Sequence, residues 1–238
     1  MNFLQVIRAM VKKELYLYFI GTGFFTVSVV FSIGLFLLFR FTFPPESITR
    51  DAAISLLWAV HLVSTLFVIL AGQEWEWEKN AFRAIKLSGT DGYTVFMGKS
   101  AAAIVALALL WSMELVLWSL LFASSHLKSL SQGGVEFSPI IVFLLQIWIA
   151  GLIATMGISF LGQIASVVAL HSRFKHVLLF ILIFPLSLPV IIAAGAFTRT
   201  LWVSQDFSSA QGLIFLELSF TFLFLGAGVF LYDYLWEE

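Results

Sequence analysis

Long uncharged apolar runs recur along the whole sequence, and they restrict the fold more than any other feature. A bilayer core of about 30 Å requires about 20 apolar residues in an α-helix. In lipid, the backbone polar groups must be satisfied within a helix or a closed barrel. Because the runs are continuous rather than alternating over about ten residues, they favour helices over a transmembrane barrel. We therefore predict an all-α integral membrane protein that forms a single domain, residues 1–238.

The composition agrees with this class of fold and excludes several kinds of site. The chain is 61% hydrophobic and 11% charged, whereas soluble domains carry about 25% charged residues. It contains no Cys, which excludes disulfides, thiolate metal sites and covalent heme attachment through Cys-x-x-Cys-His. The net charge of −1 identifies no partner, and we expect no nucleic acid, no metal site and no catalytic residue.

Six segments are long and apolar enough to cross a bilayer as helices, and we number them as spans one to six. They are residues 19–39, 52–71, 101–123, 140–163, 177–197 and 213–231.

The N-terminal segment, residues 3–18, is too polar to span a membrane. On a helical wheel Gln5, Arg8 and Lys12 share one narrow face, opposite a broad apolar face. This pattern predicts an interfacial amphipathic helix that lies in the headgroup plane and contacts membrane lipid. The alternative is a plain extension of span one.

The basic residues predict the orientation of the chain, because Lys and Arg favour the cytoplasmic side. Nine of the 13 Lys and Arg residues lie in the N-terminal segment and in the loops after spans two and four. The other four lie on the opposite side. We therefore predict that both termini are cytoplasmic.

The loop between spans two and three contains an acidic-then-basic segment at residues 74–87. On a helix, Lys79, Arg83 and Lys86 share one face, and Glu76 stands three residues before Lys79 in a favourable pairing direction. Gly89 accepts the left-handed turn that ends a helix. The segment therefore predicts a short cytoplasmic helix.

The next segment, Gly92 to Ser100, has the outline of a phosphate-binding loop. It has five residues between Gly92 and Gly98, whereas the phosphate loop has four, and no apolar strand precedes it. We therefore interpret Lys99 as a cytoplasmic anchor of span three. Since the chain has no ATPase motif of its own, the helix at 74–87 suits docking of a separate motor subunit.

An interfacial N-terminal helix, six spans and an acidic-then-basic helix between spans two and three together resemble the type-2 ABC exporter permeases. Within that group the chain most resembles the CcmB family, the permease subunit of the cytochrome c maturation heme-exporter system. The family often has Gly where Asn80 stands and more Pro than the stretch 87–91. The resemblance is carried by Leu57-Trp58-Ala59, by Glu74, Glu78, Phe82 and Leu87, and by Pro185-Leu-Ser-Leu-Pro189.

The resemblance implies a non-catalytic permease in a cell inner membrane, paired with a CcmA-like ATPase that binds ATP and seats the Glu-rich helix in a groove. It also implies CcmC-like and CcmD-like membrane proteins and a CcmE-like heme chaperone, with heme as a candidate cargo of the complex. ATP hydrolysis is then expected to drive release of the heme-loaded chaperone. Whether the chain forms a homodimer or pairs with another membrane subunit is open. The ATPase-coupling residues implied are Glu74, Glu76, Glu78, Lys79, Phe82, Arg83 and Lys86.

Two prolines, Pro185 and Pro189, stand one turn apart inside span five. Each removes a backbone donor and clashes with the preceding turn, so we expect the helix to kink or unwind. Ser187 can bond to a carbonyl that is freed in this way. The segment is either a hinge, a packing surface for a partner helix or a fixed kink.

Three ionisable residues lie within the spans, where such groups normally face the bundle interior or water. His61, near the middle of span two, is either an iron ligand or hydrogen-bonded to a neighbouring helix. Glu114 in span three is a candidate polar contact in a permease interface. Glu217, early in span six, is expected near the outer headgroups and within reach of water.

Small residues recur through span four. Gly151 and Ala154 share a face with Ile158, which suits close helix packing. The contact is either a subunit interface or intramolecular.

Two other functions remain compatible with this sequence. One is a type-2 ABC exporter permease for a lipid, a polysaccharide or a drug. The other is a motor-independent secondary transporter, for which we expect several paired intramembrane charges, or broken helices in matched halves of the chain.

Overall fold

The fold is helical throughout the part of the chain that is described. A computed structural model describes residues 3–21, 23–44, 48–79, 81–123, 138–170, 172–204 and 206–237. Within these ranges all regular structure is helix, and six helices are long and apolar enough to cross a membrane. The predicted all-α membrane fold is therefore confirmed.

The chain begins with α1 (Phe3–Tyr16), followed by a π-helical turn (Leu17–Gly21). The short helix α4 (Ala81–Leu87) separates the second and third long helices. The six long helices are α2 (Phe24–Thr42), α3 (Arg50–Lys79), α5 (Gly92–Leu121), α6 (Ser138–Leu170), α7 (Lys175–Ser204) and α8 (Phe207–Glu237).

The long helices extend beyond the apolar runs that predict them. Helix α3 continues to Lys79, so the first residues of the predicted helix at 74–87 are the end of α3, and α4 is the remainder. Helix α5 begins at Gly92, nine residues before the predicted span, because Asp91 starts it: the Thr94 hydroxyl donates to Asp91 Oδ1 at 2.6 Å. Gly89, with φ at +71°, ends the helical turn after α4, as the sequence predicts.

Helix α6 lies inside the bundle, where it packs against α5, α7 and α8 and also contacts α3. Helix α2 lies at the edge and contacts α3 and α5. The apolar window of α3 is 72% buried, whereas that of α2 is 17% buried. The bundle therefore has a well-covered centre, and α2 presents most of its surface to the surroundings.

The small residues of span four make contacts inside the chain. A Cβ atom at Gly151 would lie 1.8 Å from Trp111 Cε2, and one at Gly157 would lie 2.8 Å from Thr221 Oγ1. The absence of these side chains lets α5 and α8 approach α6 closely. Of the two interpretations of these residues, the structure supports the intramolecular one.

One end of the bundle holds α1, the start of α5 and the end of α8, and we call it the termini end. The Phe3 and Tyr93 rings stack with centroids 5.9 Å apart, and the Tyr93 amide donates to Asp233 Oδ1 at 2.6 Å. The residues of the predicted polar face of α1 are exposed, and its interfacial position stays a prediction. These exposed residues are Gln5, Arg8 and Lys12.

Helix α7 runs continuously through Pro185 and Pro189. Of the predicted kink or unwinding, the unwinding is therefore wrong, and the kink stays a prediction. The Ser187 hydroxyl donates to the Phe184 carbonyl at 2.9 Å. The prolines leave the carbonyls of Ile181 and Pro185 without amide donors, four residues before each ring. Ser187 therefore reinforces the same turn without reaching either freed carbonyl.

Candidate functional site

The centre of the bundle holds an acid–imidazole pair. His61 Nδ1 lies 2.7 Å from Glu114 Oε2, and both side chains are completely buried. The other carboxylate oxygen, Oε1, accepts hydrogen bonds from Ser32 at 2.6 Å and from Ser64 at 2.5 Å. The structure therefore brings together two of the three ionisable residues that the sequence identifies within the spans.

Four helices supply this network, which we call the central network: Ser32, His61, Ser64, Glu114 and Thr155. His61 and Ser64 stand three residues apart on α3, so they face the same side of the helix. Ser32 comes from α2, Glu114 from α5 and Thr155 from α6. The network thus links the peripheral helix α2 to the centre of the bundle.

His61 also contacts α6. His61 Nε2 lies 3.4 Å from Thr155 Oγ1, and the Thr155 hydroxyl donates to the Gly151 carbonyl at 2.6 Å. The two ring nitrogens of His61 therefore face polar side chains of two neighbouring helices, Glu114 on α5 and Thr155 on α6.

Two tryptophans line one side of the central network. The rings of Trp58 and Trp111 stack with centroids 4.8 Å apart, and the His61 ring lies 4.7 Å from Trp111. Trp58 Nε1 donates to Thr198 Oγ1 of α7 at 3.1 Å. Both ring nitrogens of His61 lie within hydrogen-bonding distance of protein atoms, which supports a hydrogen-bonded histidine over an iron ligand. Within the described ranges no group of three or more His, Asp or Glu side chains could hold a metal ion.

Glu217 lies elsewhere in the bundle, and its predicted access to water is wrong. Its side chain is completely buried, next to Ala154 of α6. Helix α8 begins at Phe207, so Glu217 lies about 15 Å along the helix. One turn further on, the Thr221 hydroxyl donates to the Ile153 carbonyl at 3.1 Å, which fixes this face of α8 against α6.

The side chains that are predicted to couple to an ATPase fall mostly outside the described residues. The backbone assigns Glu74, Glu76, Glu78 and Lys79 to the end of α3, and Phe82 and Arg83 to α4. The side chains of residues 74–83 lie outside the description. Lys86 is exposed on α4. Their coupling role stays a prediction.

A buried ion pair at the termini end is absent from the sequence predictions. Glu14 Oε1 lies 3.5 Å from Lys99 Nζ and 3.0 Å from Lys13 Nζ, and both Glu14 and Lys99 are 1% exposed. Lys99, which the sequence predicts to be a cytoplasmic anchor of span three, is covered by α1 and lies beside Glu14. Its cytoplasmic position stays a prediction. Glu14 follows Met10 by one turn on the buried face of α1. An acidic residue in that position was the sequence feature from which the buried pair could have been predicted.

A buried row of polar side chains on α6 is also absent from the sequence predictions: Thr155, Ser159, Gln163 and Ser166, each at most 1% exposed. The Ser159 hydroxyl donates to the Ser100 carbonyl of α5 at 3.2 Å. Gln73 Nε2 of α3 donates to Gln163 Oε1 at 3.1 Å. The row could have been predicted from the spacing of these residues, four, four and three positions, because this spacing puts them on one face of a helix.

Comparison with known proteins identifies one family. A family model described as "CcmB protein" matches residues 5–227, from the first turn of α1 to the later part of α8. Neither a curated protein nor a solved structure matches the chain.

Proposed function

The chain belongs to the CcmB family, and we propose from this premise that it is the membrane permease subunit of an ATP-driven complex that delivers heme for cytochrome c maturation. The family match across residues 5–227 carries the proposal. The six helices of sufficient length and apolarity agree with a permease subunit. ATP hydrolysis then belongs to a partner subunit of the CcmA type.

The termini end is the side on which we place the ATPase. The last turns of α3 lie there, because a Cβ at Gly72 would be 2.6 Å from the Tyr18 hydroxyl oxygen. Helix α4 follows directly. Since Lys and Arg favour the cytoplasmic side, and nine of the 13 lie in segments at this end, this end faces the compartment that contains ATP. The acidic end of α3 and the basic α4 together form the docking segment.

Helix α5 is the element that transmits motion of the docking segment. Asp91 joins the α4 turn to the start of α5 through Thr94. Lys99, two turns further, ties α5 to Glu14 of α1. Glu114, 15 positions beyond Lys99 on the same helix, connects α5 to α2 and α3. A displacement of α4 by the ATPase is therefore transmitted along the 30-residue helix α5 to the centre of the bundle.

The partner proteins, the cargo and the role of ATP hydrolysis that we propose are those of the CcmB family. The complex contains CcmC-like and CcmD-like membrane proteins in the inner membrane and acts on a CcmE-like heme chaperone. Heme is cargo of the complex, and ATP hydrolysis drives release of the heme-loaded chaperone. We place both termini of this chain in the cytoplasm. The membrane unit forms with a CcmC-like subunit or with a second copy of this chain.

A motor-independent transporter receives less support. Such transporters bind substrate at discontinuous helices in matched halves of the chain. The candidate break, at Pro185 and Pro189, lies in a continuous helix. In the described part of the bundle, two acid–base pairs are buried, His61–Glu114 at the centre and Glu14–Lys99 at the termini end, and only the first lies deep within the spans.

Co-purification with the ATPase tests the docking segment. The chain is purified from its own membranes in native form and as the double variant Glu74→Lys/Glu78→Lys. The matched control is Glu237→Lys/Glu238→Lys, which makes the same charge change at the C-terminus. We expect the ATPase to be lost from the first variant and retained by the control.

Retention of the ATPase by Glu74→Lys/Glu78→Lys would contradict docking through the acidic face. The reversal Lys79→Glu/Arg83→Glu then tests the basic face of the same segment. Loss of the ATPase in that variant would assign docking to the basic face. Retention in both would exclude the segment as the docking site.

A further inference from the structure

The polar row on α6 follows the helix axis through the middle of the bundle. Thr155 and Ser166, the two ends of the row, stand 11 positions apart, which corresponds to about 16 Å of helix. This length is about half of a bilayer core. All four side chains are buried.

Helix α3 presents a matching row toward α6. His61 lies near Thr155, and Gln73 bonds to Gln163, so these two contacts fix the register of the two helices. Thr65 stands between them, one turn after His61, and it is completely buried. Between the same two contacts, Ser159 of α6 donates its hydroxyl hydrogen to the Ser100 carbonyl of α5.

Several polar atoms in this interface have no hydrogen-bond partner within the described part of the chain. Burial of such atoms is unfavourable, most of all in a bilayer, where solvent offers no replacement partner. In native proteins buried groups of this kind are satisfied by ordered water, which makes about three hydrogen bonds at each site. The atoms are Thr65 Oγ1, Gln73 Oε1, Ser100 Oγ and Gln163 Nε2.

We propose that ordered water molecules occupy the interface between α3, α5 and α6 and connect the His61–Glu114 pair to the termini end. The unpartnered atoms lie on these three helices and at successive levels between the pair and the last turns of α3. Solvent then reaches the His61–Glu114 pair through this row of water molecules, which we call the water file.

Ile69 separates the proposed water file into one part beside Thr65 and another beside Gln73. It stands on α3 between Thr65 and Gln73, and it is completely buried. A Cβ at Gly162 would lie 2.8 Å from Ile69 Cδ1, so this side chain fills the space between α3 and α6 at that level. Passage of water past Ile69 therefore controls exchange between the two parts of the file.

Single thiols offer a direct probe, because the native chain contains no Cys. The S–H stretching band of each variant stands alone in its infrared region, and its conversion to S–D in heavy water measures access of water. The probes are Thr65→Cys and Ser100→Cys in the full chain, reconstituted in lipid nanodiscs. The control is Val190→Cys, an equally buried position on α7.

We expect both probe thiols to exchange at least about tenfold faster than the Val190→Cys thiol, a factor that corresponds to about 1.4 kcal/mol of barrier. Exchange at both probes no faster than at the control would overturn the proposal. Circular dichroism and gel filtration identify a variant that fails to fold, and the remaining probe then decides the outcome.

A second substitution tests the position of Ile69. In the Thr65→Cys background we expect Ile69→Ala to raise the exchange rate by about tenfold. Ile183→Ala on α7 removes the same atoms from an equally buried position, and we expect less than about a twofold change there. An equal effect of the two alanines would contradict a barrier at Ile69.

Discussion

His61 Nδ1 lies 2.7 Å from Glu114 Oε2 although the two residues are 53 positions apart in the chain, and both side chains are fully buried. The carboxyl group also accepts hydrogen bonds from Ser32 of α2 and Ser64 of α3. Helix α2 is only 17% buried along its apolar window. Glu114 therefore provides a polar attachment of the most exposed long helix to the centre of the bundle.

Glu114→Leu should destabilise the protein by about 3 kcal/mol, because it removes one partner of a buried pair. Glu114→Gln keeps an acceptor oxygen and should cost only about 1 kcal/mol. Denaturant titration of the purified protein in detergent, followed by tryptophan fluorescence, measures both values. A Leu variant as stable as the native protein would show that the central network does not hold the helices together.

Gly151→Ala should destabilise the protein by about 1–3 kcal/mol, because the added methyl group overlaps the Trp111 ring. The control is Gly212→Ala in α8, where a Cβ meets no atom within 4 Å. Since alanine favours helix over glycine, that variant should be neutral or more stable by up to about 1 kcal/mol. Thermal unfolding compares the two, and a loss at Gly212→Ala as large as that at Gly151→Ala would contradict the contact.

The ion pair at the termini end predicts an energetic coupling between its two partners. Glu14→Gln removes the carboxylate that lies 3.5 Å from the buried Lys99 ammonium, and Lys99→Met removes the ammonium. We expect both changes to lower stability, with a coupling of about 0.5–3 kcal/mol in the double-mutant cycle.

Thermal unfolding of the two single variants and of the double variant gives this coupling. Lys12→Met, at an exposed position on α1, is the matched control and should leave stability almost unchanged. Additive effects of Glu14→Gln and Lys99→Met would contradict a direct interaction between the two side chains.

Asp206, just before α8, should make stability depend on pH. The Ser208 hydroxyl donates to its carboxylate, as does the Ser208 amide at 3.0 Å, and these bonds lower the pKa of Asp206 below its ordinary value. A lowered pKa in the folded state gives stability that is present above the unfolded-state pKa and is lost as pH falls through the folded-state pKa. The native protein should therefore lose its advantage over Asp206→Asn as pH decreases below about 4.

Thermal unfolding of both proteins at a series of acidic pH values checks this dependence. Ser208→Ala should reduce the advantage at neutral pH, because it removes the hydroxyl donor. A difference between native protein and Asp206→Asn that stays constant with pH would exclude the proposed cause.

The apolar runs were sufficient to predict six helices, because the cost of unsatisfied backbone groups in lipid leaves few other structures. They could not predict the start of α5. Residues 92–100 precede the apolar run of span three, yet they are helical, and the buried position of Lys99 among them depends on Glu14 of α1. A local pattern does not contain a partner that lies 85 positions away.

The residues of the candidate site could likewise be predicted only in part from the sequence. His61 and Glu114 could be identified singly, since ionisable residues inside a span are rare. Their pairing depends on the relative rotation of α3 and α5, which a single sequence does not specify. Glu217 was placed too near the surface because its burial depends on α6, which covers that face of α8.

Deletion of this chain from its own cell tests the central claim most directly. Membranes are assayed for c-type cytochromes by heme staining, and the CcmE-like chaperone is assayed for bound heme. We expect loss of c-type cytochromes with accumulation of heme-loaded chaperone, both reversed when the native chain is expressed again. Normal levels of c-type cytochromes in the deleted cell would contradict it and would favour a permease for another cargo.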